Sequence, residues 1–181
     1  MKRALVSIIS AGLAMYLFGM LYWGVSPLPY YAWQQTTDDV AAGEAMARYF
    51  PVSGTYYLPG EHHDAATKAE LYEKGPVAMI HVTARDGRAL HEPWVLVKGL
   101  VLKLTVAALL WLVLFLAQPD RVRRGFLLLV VVGLAGTVLI DMGDVVWWYL
   151  PFPWKAAQSI YHILSVTLAA SILSTRALPR D

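Results

Sequence analysis

Of 181 residues, 57% are hydrophobic and 15% charged, with a mean hydropathy of +0.49, which is too apolar for an ordinary water-soluble domain. The absence of cysteine excludes disulfide framing, thiolate metal ligation and thiol redox chemistry. A net charge of +2 is small, so topology and partners must be read from where the charges lie.

Met1-Lys-Arg precedes an apolar run from Ala4 to Gly24, long enough at 1.5 Å per residue to cross a hydrocarbon layer of about 30 Å. A secretory signal peptide has the same basic start and apolar core. This run is longer, ends in bulky Leu21-Tyr-Trp23 and shows no small-x-small cleavage site before Pro27, so residues 1–25 are expected to be an uncleaved anchor. Tyr22 and Trp23 form its aromatic belt, and Ser10 with Ala14 a small-residue stripe for helix contact.

Residues 26–93 are polar enough for water and form the expected extracytoplasmic α/β domain. Thr36-Thr-Asp-Asp39 reads as a helix start, Pro51 as its end, Ser53 to Gly60 as a short strand, Asp64 to Lys74 as a second helix and Val77 to Thr83 as a second strand. A helix between two strands favours a parallel pair. The segment carries five Lys or Arg against nine Asp or Glu, which argues against nucleic acid or anionic lipid surfaces as partners. So small a domain has little apolar surface to bury and is expected to rest on the membrane or on a protein partner. Tyr56 and Tyr57 in the strand, with Trp147 and Trp148 further on, are the candidate partner-binding residues. His62, His63 and His81 are the metal candidates, with His91 as a fourth histidine, since imidazole suits copper, nickel or zinc. Adjacent histidines point to opposite faces of a strand, so their spacing favours a structural or solvated role.

Three more apolar runs follow, about 94–117, 126–146 and 156–173, making a 94–175 transmembrane region and a 176–181 tail. Lys2, Arg3, the cluster Arg121, Arg123 and Arg124, and Arg176 and Arg180 place both termini and the 118–125 loop on the cytoplasmic side. The fold class expected is therefore an all-α membrane protein of four transmembrane helices in a bacterial inner membrane, with a small α/β extracytoplasmic domain between the first two.

Asp141, Asp144, His162 and Lys103 are ionisable residues inside these runs, where charge is costly and informative. Counted from Trp94, Trp148 and Trp154, Asp144 and Lys98 lie about 6 Å deep and Asp141, His162 and Lys103 about 10 to 13 Å. Lys98 can snorkel and Asp144 can end its span in water. Asp141 and His162 are too short to escape, so Asp141 is expected to pair with His162 or Lys103, either to fix helix register or to build a functional site.

The stretches Tyr16 to Gly24, Ser53 to Pro59, Lys74 to Ala78 and Asp144 to Pro151 resemble a group of uncharacterised bacterial inner-membrane proteins with four spans and a large first external loop. The resemblance implies the layout and carries no activity or site residue. The layout is also similar to tetraspan proteins such as claudins, although the paired cysteines and tryptophan motif of their outer loop are missing here. No nucleophile, phosphate loop or metal spacing specifies an enzyme. The expected role is thus a non-catalytic accessory, assembly or sensing subunit with no cofactor, bound to the bilayer and to a membrane or periplasmic protein. The alternatives are an intramembrane ion, proton or small-ligand site, for which four helices would need homo-oligomerisation to transport, and histidine binding of metal or haem.

Overall fold

The computed structural model describes residues 2–177, with side chains described to Thr175. The side chain of Arg176 and the whole of Arg180 lie outside that range. The chain is mostly helical, and four of its helices are long and apolar enough to cross a membrane. In chain order the elements are α1 (Lys2–Met20, continued by a π turn over Leu21–Val25), α2 (Asp39–Tyr49), β1 (Gly54–Leu58), α3 (Ala65–Lys74) and β2 (Ala78–Val82). Then come α4 (Pro93–Ala117), α5 (Val122–Thr137, continued by a π turn over Val138–Met142), α6 (Gly143–Trp148) and α7 (Phe152–Ala177). Two compact units result: the span-length helices with the segment up to Gln34, and residues Gln35–His91.

In the helical unit, α7 packs against α1 and α5 and more lightly against α4, while α1 also packs on α4. Helices α4 and α5 barely meet. This central position explains why α7 is the least apolar of the four yet the most buried: its Lys155, Ser165 and Ser174 are buried against protein rather than facing the outside. Ala11, Met15, Leu110, Leu129, Ala169 and Leu173 form the core. Small residues set the helix spacing. A Cβ at Gly12 would stand 2.7 Å from Leu104 Cδ2 and 3.1 Å from its Cα, and one at Gly133 would stand 2.6 Å from Val166 Cγ1. The buried stripe on α1 is Ser7, Ala11, Gly12 and Met15; Ser10 and Ala14, expected from the sequence, are half-buried beside it, because a four-residue repeat fits a 3.6-residue helix on either flank.

Aromatic residues close the end where α1 finishes and α7 begins. Tyr161 stacks on Phe18 at 5.7 Å between centroids, and Trp23 meets both Tyr161 and Trp154 edge-on. Tyr22 is buried and its hydroxyl donates to the Ala157 carbonyl at 2.8 Å, which removes the cost of enclosing a phenol.

The Gln35–His91 unit departs from the expected sheet. β1 and β2 pair antiparallel, with Gly54 opposite Val82 and Leu58 opposite Ala78. The connection carries α3 out and back rather than across the strands: Gly75, at φ 62, ends the helix and turns the chain into β2 beside the end of β1. A crossover helix needs a sheet face to pack on, and two five-residue strands offer too little. Phe50 and Pro59 are the buried side chains of this unit among the described residues. Asp38 and Asp64 cap α2 and α3, each accepting from two backbone amides.

The Thr67 hydroxyl and then the Thr67 amide hold the Asp64 carboxyl below its ordinary pKa. A depressed folded-state pKa stabilises above the unfolded value and is lost as pH falls through the folded value. The start of α3 should therefore be constant from pH 8 to 5 and fray below about pH 4. Amide exchange at Ala66 and Thr67 reads this directly, and protection unchanged at pH 3 would show that the cap carboxylate contributes nothing.

Candidate functional site

The site forms where the α5 continuation faces the first half of α7. After Thr137 the helix widens into a π turn, a feature often found at functional positions, and this turn contains Asp141. Leu139 and Ile140 point outward and are exposed, whereas Asp141 is 0% exposed. Apolar side chains outside and a carboxylate inside is the reverse of a water-soluble helix and the pattern expected in lipid. One turn later Asp144 projects to the same side.

On α7, Lys155, Ser159 and His162 follow at a helical repeat and meet these acids. Lys155 is 5% exposed. Its Nζ lies 2.8 Å from Asp141 Oδ1 and 2.9 Å from Asp144 Oδ2. The second oxygen of Asp141 accepts from Ser159 Oγ at 3.1 Å and lies 2.8 Å from His162 Nδ1. One ammonium thus bridges two carboxylates, and the deeper carboxylate orients an imidazole. Burying such a group is tolerable because every charge has an opposite one in contact. With Nδ1 directed at Asp141, His162 keeps its other nitrogen for a ligand or a proton; its side chain remains 43% exposed.

That exposure is to a cleft of about 310 Å³ in the side of the bundle. Leu102, Lys103 and Val106 of α4 form one wall, Gly133, Gly136 and Thr137 of α5 the other, and Tyr161, His162 and Ser165 of α7 the floor. Lys103 does not pair with Asp141. Its ammonium sits 4.9 Å from the centroid of the Tyr161 ring, a cation–π contact.

Of the residues singled out in the sequence, Asp141, Asp144 and His162 come together and Lys103 lies across the cleft from them. Lys155 and Ser159 complete the cluster; their signal is the Lys-x3-Ser-x2-His spacing, which puts all three on one face of α7. The other candidates lie elsewhere. The Tyr56 ring packs on Phe50 at 4.7 Å and its hydroxyl donates to the Val52 carbonyl at 2.8 Å. Tyr57 hydrogen-bonds Tyr72, pushing the Tyr72 phenol up to about 12. Both strand tyrosines are half-buried within their own unit, whereas Trp147 and Trp148 are exposed. The rings of His62 and His63 lie 4.1 Å apart, and His81 Nδ1 is 2.9 Å from Thr55 Oγ1 on the paired strand. Among the described residues no three His, Asp or Glu side chains form a group that could hold a metal ion. Comparison with protein-family models, with curated proteins and with solved structures finds no match for this chain.

Proposed function

We propose that this chain is a multi-pass protein of a bacterial cytoplasmic membrane that binds a small ligand within the bilayer, at the cleft served by His162. The observation that carries this reading is the fully buried Asp141 holding Nδ1 of the His162 imidazole, a residue that lines the cleft and keeps its second nitrogen unused by the pair. A carboxylate–imidazole pair of this kind fixes the ring and its tautomer for an acceptor or donor outside the pair. A transmembrane proton relay is less well supported by a single chain. Between Asp141 and the opposite end of the bundle the buried core is apolar apart from Ser and Thr hydroxyls, and among the described residues it holds no titratable side chain.

Four crossings with the termini and the 118–121 loop in the cytoplasm follow from the Lys2, Arg3, Arg121, Arg123 and Arg124 charges. The Gln35–His91 unit then lies outside. That α1 contributes Ala11 and Met15 to the common core supports its retention as a span.

A second reading, an accessory subunit docked to a membrane or periplasmic protein, is favoured by the Gln35–His91 unit, where two buried side chains are a thin core for an independent domain. Native mass spectrometry of protein extracted gently from its own membrane separates the two. The ligand reading expects a small non-protein adduct that His162→Ala loses while the protein remains folded. A stoichiometric protein partner retained by His162→Ala, with no adduct in either form, would overturn it in favour of the accessory role.

A further inference from the structure

We propose, resting on the ligand-site reading above, that the cleft takes an acidic amphiphile: a carboxylate or phosphate head on an acyl-type tail, with Lys103 as its counter-ion. Three observations converge on this chemistry.

The first is charge. Lys103 is half-buried in a mostly apolar slot, and among the described residues no carboxylate pairs with it; the face of Tyr161 is its partner. A ring quadrupole compensates an enclosed ammonium only in part. The nearby acids do not serve it, because Asp141 and Asp144 share Lys155. An anion arriving from outside would give Lys103 the direct counter-ion it lacks.

The second is an unpartnered donor. Ser165 is 4% exposed, lines the same cleft, and its Oγ has no hydrogen-bond partner. A buried hydroxyl without a partner is costly, and a head-group oxygen would relieve it. With Lys103, and with His162 one turn back along α7, the cleft offers a cationic and donor-rich patch suited to oxygen acceptors.

The third is shape. Because α4 and α5 barely touch, the slot opens sideways between them, where an apolar tail would enter from lipid. Gly133 and Gly136 both lie on this wall, but they differ in what they face. A Cβ at Gly133 would collide with Val166, whereas one at Gly136 would meet nothing within 4 Å. Glycine at 136 weakens the helix without being needed for close packing; what it preserves is the open slot.

The test is native mass spectrometry of the full chain in a neutral maltoside detergent, titrated with oleate, oleoyl lysophosphatidate and oleyl alcohol. At least one of the two acids should bind one to one, roughly tenfold or more tighter than the alcohol, a difference of the size expected for one charge-assisted contact. Whichever acid binds tighter identifies the head group as carboxylate or phosphate. Lys103→Gln should remove the preference for acid while leaving alcohol binding unchanged, and Gly136→Phe should abolish binding of all three. Thermal unfolding of each variant on the same sample shows that it is folded; if Gly136→Phe does not fold, the Lys103→Gln comparison decides. Equal binding of acid and alcohol, or full acid binding by folded Lys103→Gln or Gly136→Phe, would overturn the proposal. A native adduct that is lost in His162→Ala but is not an acid would overturn this assignment alone and leave the ligand site standing.

Discussion

Asp141→Asn should destabilise the helical unit by about 3 kcal/mol or more, in the range measured when one member of a buried ion pair is removed. The substitution keeps the shape of the side chain and takes away its charge. Lys155 then sits in a 5% exposed position with Asp144 alone, and His162 loses the anion that fixes its Nδ1. Ser159→Ala removes only one uncharged donor to the same carboxylate and should cost less than about 2 kcal/mol, the upper end of the scale for a side-chain hydrogen bond between membrane helices. Equilibrium unfolding of the purified variants in mixed micelles with increasing dodecyl sulfate measures both. Asp141→Asn that unfolds with the wild-type midpoint would mean that the cluster does not hold α5 to α7.

Much of this architecture is legible in the chain because it rests on length and polarity. Four apolar runs of about 20 residues have the length and polarity of membrane-crossing helices, and the runs about 94–117 and 126–146 match α4 and the α5–α6 helix closely. The meeting of Asp141 and His162 is legible for a related reason: both are short and both lie well inside an apolar run, so each needs a partner at its own depth. Lys155 is not legible in this way. Beside Trp154 and near the end of its run, a long flexible lysine fits an interfacial position as well as an inward one, and depth alone cannot choose. Lys103 illustrates the converse, since matched depth suggests Asp141 while the chain gives it the face of Tyr161. The π turn that aims Asp141 is invisible because it is a change of hydrogen-bond register, which composition does not encode. The strand direction fails differently: a connection long enough for a crossover allows a parallel pair but does not require one, and the turn at Gly75 decides.

Lys155→Met should be at least as damaging as Asp141→Asn, with an expected loss of about 3 to 5 kcal/mol. Methionine fills the volume of the lysine stem, so the loss is electrostatic rather than one of packing. Two carboxylates three residues apart on one helix face would be left sharing a site without a cation, one of them wholly enclosed; the first cannot reach water, and the second repels it. Lys103→Met removes an equal charge from a position further along its helix from the aromatic boundary yet should cost under about 1 kcal/mol, because it strands no buried anion. The two lysines therefore separate a charge that the fold requires from one that is available to a ligand. The double variant Lys155→Met with Asp141→Asn supplies the closing comparison. If the pair acts as one unit, the double variant should recover about 1 to 3 kcal/mol of the summed single losses, since the enclosed anion and its missing counter-ion disappear together. Additive losses would show that Lys155 and Asp141 stabilise the bundle independently, and the bridge between α5 and α7 would then reduce to proximity.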